Sequence, residues 1–296
     1  MAATAGQRQV DLREPRSWRR SKNRILTALM VLSFVLMIVP LGFVLVTVIA
    51  KGASVISASF LTSTIPVDVE PANMGGVGPA IVGTIEITAL ATALALPLGV
   101  LGAVYLNEYG RNRVLSRLIG FMADVMTGVP SIIMGLFIFS IWVLHFGYSG
   151  LAGAFALGCL MLPIVIRSTD EMLRLVPDSL REGAYALGAT KARVTATVVL
   201  PAAIGGIVSG ALLAVARAAG ETAPLLFTLL TVTTVNANVF SGPNTALPLQ
   251  IFSNASSPYV GAQARGWGAA LTLIAIAFTL MIAARVVTAR YARYTR

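Results

Sequence analysis

The chain has 296 residues, of which 56% are hydrophobic and only 11% are charged, and its formal net charge is +10. An average soluble domain has about 25% charged residues, so this composition excludes an ordinary soluble protein and predicts one that spans a membrane. The positive charge does not indicate nucleic-acid binding, which would require a soluble basic face with interleaved aromatic residues.

Six apolar stretches predict six membrane-spanning helices. The first, at 25–50, contains no charged residue. As a helix it would be about 39 Å long, enough to cross a hydrocarbon core of about 30 Å. The uncharged run at 125–166 would be about 63 Å long, so it must turn, and the glycine-containing segment 145–150 is the expected corner. The predicted spans are 25–50, 79–106, 119–144, 150–167, 200–230 and 266–286.

Basic residues lie almost entirely in one set of the loops between these spans. Lys51 and Arg265 are the only basic residues in the opposite set. Short loops rich in Lys and Arg stay in the cytoplasm, so both termini are predicted to be cytoplasmic. This divides the chain into a basic N-terminal arm at 1–24, a transmembrane domain at 25–290 and a short tail at 291–296.

The predicted cytoplasmic loop between spans four and five combines charges, small residues and helix-ending residues. Asp178 is expected to cap one short helix and Gly188 to end it. Thr190 is expected to cap a second helix, which Pro201 separates from span five. The corner has little side-chain bulk, so another protein could approach its backbone closely. A packed loop without a partner is the alternative.

Span five contains two charged residues, Arg217 and Glu221, which are four residues apart and therefore share one helical face. Counted from Pro201, Arg217 is about 24 Å along the span and past its middle. Burying an Arg in a bilayer costs between about 3 and more than 10 kcal/mol, so Arg217 should face the protein interior or a water-filled path. Pro224 predicts a kink beside these charges. An ion pair that only locks helix packing is the alternative.

Three more charged residues lie within or at the ends of predicted spans. Arg167 and Asp124 are at similar depths near the inner ends of spans four and three, so they are expected to be able to pair. Snorkelling of Arg167 toward the membrane interface is equally open. Glu86 is about seven residues into span two from its outer end, which makes it a candidate neighbour of Arg217. A structural role is slightly favoured for Glu86 and Asp124.

The cytoplasmic loop resembles the EAA loop of permease subunits in bacterial ABC importers. That motif reads E-A-A, three residues, G, nine residues, I-x-L-P, and this chain has Glu182-Gly183-Ala184, then Gly188, then the run 198–201. Gly183 and Val198 depart from the family's Ala and Ile. Residues 128–137, 180–190 and 216–227, with the Gly-Glu-Thr-Ala-Pro run, resemble the PstA family, the permease subunits of phosphate-specific ABC importers.

The resemblance implies an all-α polytopic membrane protein with six transmembrane helices, the type I ABC importer permease fold and a cytoplasmic coupling helix in the loop 178–201. That helix would contact an ATP-hydrolysing subunit through Glu182, Gly183, Ala184, Gly188 and Ala189. Inorganic phosphate would be the substrate, with a pathway that includes Arg217, Glu221, Arg167, Glu86 and Asp124. Arg217 would donate to phosphate oxygens, and Glu221 would hold it when substrate is absent.

The chain has no motif for binding or hydrolysing ATP. A nucleotide-binding P-loop needs a Lys directly after a Gly, and none of Lys22, Lys51 and Lys191 has one. A single Cys159 and a single His145 make a metal site implausible. The chain is therefore expected to have no catalytic residue and no cofactor, with ATP and Mg²⁺ bound by a partner subunit.

The partners that the resemblance implies are a second permease subunit, two ATP-binding subunits and an extracytoplasmic phosphate-binding protein, in the bacterial cytoplasmic membrane with its lipids. No nucleic acid is expected. Another oxyanion, sulfate or molybdate, is the nearest alternative substrate. A passive anion channel would also use buried arginines, but it would have no need of a coupling loop. The absence of H-E-x-x-H, a nucleophile elbow and paired intramembrane aspartates disfavours a membrane-embedded hydrolase.

Overall fold

A computed structural model of the chain describes residues 16–66, 75–110 and 113–294. Every regular element in these ranges is helical. Residues 1–15 of the predicted N-terminal arm and 295–296 of the predicted tail lie outside them. The chain divides into two units, 1–50 and 51–296.

The described part of the first unit, residues 16–50, lies in helix α1 (Arg16–Ala53). The most apolar 18 residues of its membrane-length part, Arg20–Ala53, have a mean hydropathy of 2.8, and none of them is buried. This is the composition of a helix that spans a bilayer, and the predicted span at 25–50 lies entirely within it.

The second unit contains the remaining α-helices and three π-helical segments. The α-helices are α2 (Ala58–Thr62), α3 (Gly78–Val104), α4 (Val114–Gly128), α5 (Ser131–Ile138), α6 (Leu144–Phe146), α7 (Gly150–Arg174), α8 (Asp178–Ala186), α9 (Lys191–Val194), α10 (Leu200–Ala219), α11 (Leu225–Thr228), α12 (Leu247–Ala255) and α13 (Val260–Tyr294). The π-helical segments are Tyr105–Tyr109, Phe139–Val143 and Thr195–Val199.

Within the described residues, five helices are long and apolar enough to cross a membrane, and a bent pair of helices makes up to six. The pair is Val114–Gly128 and Ser131–Phe146, with a bend of 106° between them. The predicted corner at 145–150 is confirmed, because Gly147 has a φ of +82° and the hydroxyl of Ser149 caps α7.

The prediction of span three as one continuous helix over 119–144 is wrong. Pro130 follows Val129, whose backbone is extended. A residue before proline is disfavoured in the helical region, and proline donates no backbone hydrogen bond, so α4 ends at Gly128 and a new helix begins in another direction.

The predicted bounds of span five, 200–230, are also wrong at both ends. The helical span runs from Lys191 to Ala219. Pro201 does not interrupt it, because Pro201 lies in the first turn after a π-helical segment, where its missing N–H is tolerated. At the other end the chain leaves the helix at Gly220, the C-cap residue. The predicted kink at Pro224 is therefore a complete break.

Close contacts between α3, α7 and α10 form the core of the second unit. Buried side chains from all three helices pack in one cluster that includes Ile87, Ala91, Leu157, Met161, Ala214 and Ala218. Gly206 faces Met172 and Gly210 faces Ser168, with no room for a β-carbon on either glycine. These pairs show that α10 and α7 run antiparallel, and small residues at such positions let membrane helices pack closely.

Candidate functional site

Arg217 lies near the middle depth of the helix bundle. It is seven residues after Gly210, which faces Ser168 of α7. Because the two helices are antiparallel, Arg217 is about 10 Å beyond that contact and level with Met161. Met161 is near the middle of the 25-residue α7 and shares a buried cluster with Ala218, the neighbour of Arg217.

The ion pair between Arg217 and Glu221 forms across the end of a helix. Nε of Arg217 lies 3.4 Å from Oε1 of Glu221. Arg217 is in the last turn of α10, where a positive charge is favourable, whereas Glu221 lies beyond the C-cap. The contact that the sequence spacing predicted is present, but the two residues are not on one continuous helix.

The guanidinium of Arg217 is open to the outside of this chain, with 67% of its side chain exposed. An Arg at the middle of a bilayer is very unfavourable in contact with lipid. This surface of the chain therefore faces water or another protein.

The backbone is also irregular at this depth. Residues 220–224, between α10 and α11, form a turn. Gly135 of α5 packs directly on this turn, because a β-carbon on Gly135 would lie 2.7 Å from Cα of Pro224. Non-helical backbone at membrane depth is tolerated where it is buried in protein or lines a water-filled cavity. Interrupted helices that meet near the midplane form the substrate sites of many transporters.

A second arginine, Arg167, lies in α7, closer to the end of that helix than the level of Arg217. The helix ends at Arg174. Arg167 forms an ion pair with Asp124 of α4, and its Nη2 donates to the carbonyl oxygen of Gly120 at 2.9 Å. The structure thus confirms that Arg167 and Asp124 pair. Nε of Arg167 is buried and has no hydrogen-bond partner, which leaves one donor unused. Arg167 adjoins Ser168, so it is about 10 Å from the level of Arg217 along the helix axis.

Glu86 of α3 is half-buried, and its Oε2 atom is buried without a hydrogen-bond partner. In the part of the chain that the structure describes, no ion pair joins Glu86 to Arg217. Among the same residues, no three His, Cys, Asp or Glu side chains are placed to hold a metal ion.

The loop after α7 forms two helices with a tight corner, as its sequence predicts. Helix α8 is followed by Gly188 with a φ of +79°, and α9 begins at Lys191. Of the two capping predictions, the one for α8 is wrong and the one for α9 is confirmed in position. Pro177 rather than Asp178 is the N-cap residue of α8, and Thr190 occupies the N-cap position of α9 without a side-chain capping bond.

The surface of this loop that faces away from the rest of the chain is unusually exposed. No residue of α8 is buried, and no atom lies within 4 Å of a β-carbon placed on Gly183 or Gly188. Leu187 is 90% exposed. Small residues beside exposed apolar ones are typical of a protein-binding surface. Of the predicted coupling residues, Glu182, Gly183 and Gly188 are exposed, whereas Ala184 and Ala189 pack against a buried cluster.

Sequence reasoning missed one buried ion pair beside this loop. Arg181 of α8 contacts Glu108, which follows α3, at 3.0 Å. Neither residue is conspicuous in the sequence, because charged residues at the ends of membrane spans are expected. Their pairing depends on how α3 and α8 come together in the fold.

Comparison with known proteins places the chain among transport proteins. Residues 95–293 match the family described as "Binding-protein-dependent transport system inner membrane component". The chain is 44% identical over 272 residues to "Phosphate transport system permease protein PstA 1" of Mycobacterium tuberculosis (strain CDC 1551 / Oshkosh), which covers 91% of this chain and 89% of that protein. It is 40% identical over 281 residues to "Phosphate transport system permease protein PstA" of Yersinia pestis, covering 94% of each.

A solved structure shares the fold. The chain matches a bacterial ABC transporter involved in the import of the acidic polysaccharide alginate with a TM-score of 0.63 and 11% sequence identity, over 92% of this chain and 98% of that one. Identity this low supports the fold alone. The chain belongs to the family of binding-protein-dependent transport system inner membrane components, with the type I ABC importer permease fold, and is a transporter subunit rather than an enzyme.

Proposed function

We propose that this chain is a membrane-spanning permease subunit of an ATP-driven importer that carries inorganic phosphate across the bacterial cytoplasmic membrane. The observation that carries the proposal is the exposed guanidinium of Arg217, at middle depth beside an interrupted helix. Near-full-length relatives of the chain are named phosphate transport system permeases.

In this proposal, Arg217 and Arg167 bind the anion at two successive positions along its path. A guanidinium presents a planar fork of donors that matches two phosphate oxygens. The Arg217–Glu221 contact of 3.4 Å is long for a charge-assisted hydrogen bond, so phosphate can replace it at little cost. Arg167 has an unused Nε donor and lies about 10 Å along the path. Glu221 and Asp124 balance the arginine charges when no anion is present, and Glu86 of α3 is a further member of the path.

The path is closed by a second permease subunit. The side chains of Arg217 and Asp124 are 67% and 66% exposed on this chain alone, and lipid would be a poor cover for either. A similar subunit packed against both charges would enclose them in one water-filled route.

The loop that contains α8 is where ATP hydrolysis in a partner subunit is coupled to transport. Its exposed residues Glu182, Gly183 and Gly188 form the surface on which an ATP-binding subunit docks. Ala184 and Ala189 hold this surface in place by packing against the buried cluster. Two such subunits bind the ATP and Mg²⁺ that this chain has no motif to bind, and an extracytoplasmic phosphate-binding protein delivers substrate on the opposite side. The loop is then cytoplasmic, as are both termini. Movement of the loop switches the route between its two openings, which is transport by alternating access.

The test is reconstitution of the complete complex in liposomes with phosphate uptake as the measurement. Hydrogen bonds to charged groups contribute about 1.5 to 3 kcal/mol each, so Arg217→Ala is expected to reduce uptake at least about tenfold. Arg217→Lys keeps the charge without the fork and should recover only part of the activity. Subunit assembly should be unchanged in both variants. Normal uptake by Arg217→Ala would refute the role of this residue in the anion path.

A further inference from the structure

The ion pair between Arg181 and Glu108 connects the open helix α8 to the body of the protein. The Arg181 side chain is 13% exposed and the Glu108 side chain 5%, so the contact is almost completely removed from solvent. Nη2 and Nε of Arg181 lie 3.0 and 3.3 Å from Oε1 of Glu108. This is the only ion pair that joins α8 to another helix among the described residues.

Arg181 contacts three parts of the structure at once. Besides Glu108, its Nη2 donates to the carbonyl oxygen of Leu173 in α7 at 2.9 Å, and its Nη1 lies 3.1 Å from Oδ1 of Asp178 within α8. It also donates to the carbonyl oxygen of Val176 in the connecting segment. One side chain therefore joins α8 to the ends of both α3 and α7.

The network continues into the body of the bundle. Asn107, beside Glu108, donates to Asp170 of α7 at 3.4 Å, and Asp170 pairs with Arg174 at 2.8 Å. Asn107 and Glu108 lie in the π-helical segment at the end of α3. Segments of this kind are frequent at functional sites.

Stability alone is a weak reason for this arrangement. Removing two charges from water is costly, and apolar residues of similar size would often hold two helices together equally well. The apolar packing of α8 is slight, because none of its nine residues is buried and only Ala184 packs against a buried cluster. A directional contact fixes the position of such a helix, whereas a loose apolar contact would let it slide.

We infer that Arg181 is the positioning residue that makes α8 move as one body with the ends of α3 and α7. This inference rests on the proposed function, in which a partner subunit moves α8. Because α3 contains Glu86 and α7 contains Arg167, a displacement of α8 then reaches the anion path directly. Without the ion pair, the ATP-binding subunit would move α8, but α3 and α7 would not move with it.

The experiment measures phosphate uptake and ATP hydrolysis together on the reconstituted complete complex. Arg181→Ala should leave assembly and hydrolysis in place and lower the phosphate carried per ATP about tenfold, the scale expected when a coupling contact is lost. Glu108→Gln keeps the shape of the side chain and should give a similar loss. Arg113→Ala, which removes an exposed charge on the same side, is the matched control and should keep the ratio of the unaltered chain.

The charge-reversed pair, Arg181→Glu with Glu108→Arg, separates a specific contact from general damage. It should restore part of the ratio that each single reversal abolishes. Equal loss in the single and double reversals would overturn the inference. So would an unchanged ratio in both Arg181→Ala and Glu108→Gln, or failure of both to bind the ATP-binding subunits.

A distance measurement keeps this test independent of the transported ion. Spin labels at Ser179 of α8 and Leu101 of α3, both exposed, report on the two helices in a chain with Cys159→Ala. In the chain that keeps Arg181, the distance between the two labels should be the same with and without ATP. In Arg181→Ala, this distance should change on ATP binding. The opposite pattern would overturn the inference. If the unaltered complex hydrolyses ATP but carries no phosphate, the proposed function fails while this measurement still decides the coupling role.

Discussion

Gly135 and Pro224 touch where two interrupted spans meet, and their contact has no spare room. A β-carbon on Gly135 would lie 2.7 Å from Cα and 2.8 Å from the carbonyl oxygen of Pro224. Both are backbone atoms, so a larger residue must displace the whole turn. That turn also contains Glu221, the partner of Arg217.

Gly135→Ala is therefore expected to reduce both stability and phosphate uptake. Overpacking of this kind typically costs about 1 to 3 kcal/mol. Thermal unfolding of the purified chain and uptake by the reconstituted complex measure the two effects. Gly128→Ala in the adjacent helix is the control, because nothing lies within 4 Å of its added β-carbon. Equal behaviour of the two variants would show that the Gly135 contact is unimportant.

At the scale of elements, α8 is the helix best suited to contact another protein. Its exposed residues include the small Ser179, Gly183 and Ala186 and the charged Glu182, while Arg181 fixes the helix from the opposite side. A helix held on one side and free on the other can accept a partner without first being uncovered.

Gly183→Trp is expected to abolish binding of the ATP-binding subunits and leave this chain folded. The β-carbon of residue 183 meets no atom within 4 Å, so the added ring clashes only with a partner. Co-purification of the subunits measures binding, and circular dichroism measures folding. Gly183→Ala, which gains up to about 1 kcal/mol of helix propensity, should bind normally. Retained binding by Gly183→Trp would exclude this face as the docking surface.

At the scale of the whole molecule, the proposed function fixes which side of the membrane each loop occupies. In a chain with Cys159→Ala, a cysteine at Ser179 beside the docking surface should react with an impermeant thiol reagent only when the cytoplasmic side is open. A cysteine at Ser241, in the exposed loop before α12, should react only from outside. Reaction of the Ser179 position from outside would contradict the whole arrangement.

The same complex distinguishes an importer from a passive channel. Phosphate accumulation should require ATP, and the unaltered chain alone should carry no current. Excess sulfate or molybdate should leave phosphate uptake largely unchanged. Strong competition by either anion would instead favour an importer of that oxyanion.

The sequence by itself determined the number of apolar spans, the corner at 145–150, the turn at Gly188 and the resemblance to importer permeases. Span length, glycine at a turn and motif spacing are local properties, which neighbouring residues specify without reference to the rest of the fold. For the same reason it placed Arg217 beside Glu221. Arg167 and Asp124 are far apart in the sequence, and their similar depth in two spans only allowed them to pair.

Only the tertiary structure decided that span five ends at Ala219, that α4 and α5 form a bent pair, and that Arg181 pairs with Glu108. A proline or glycine permits several outcomes, and contacts with distant segments select one of them, as the packing of Gly135 on Pro224 shows. Arg181 and Glu108 are 73 residues apart, so only the packing of helices that are distant in sequence could bring them together.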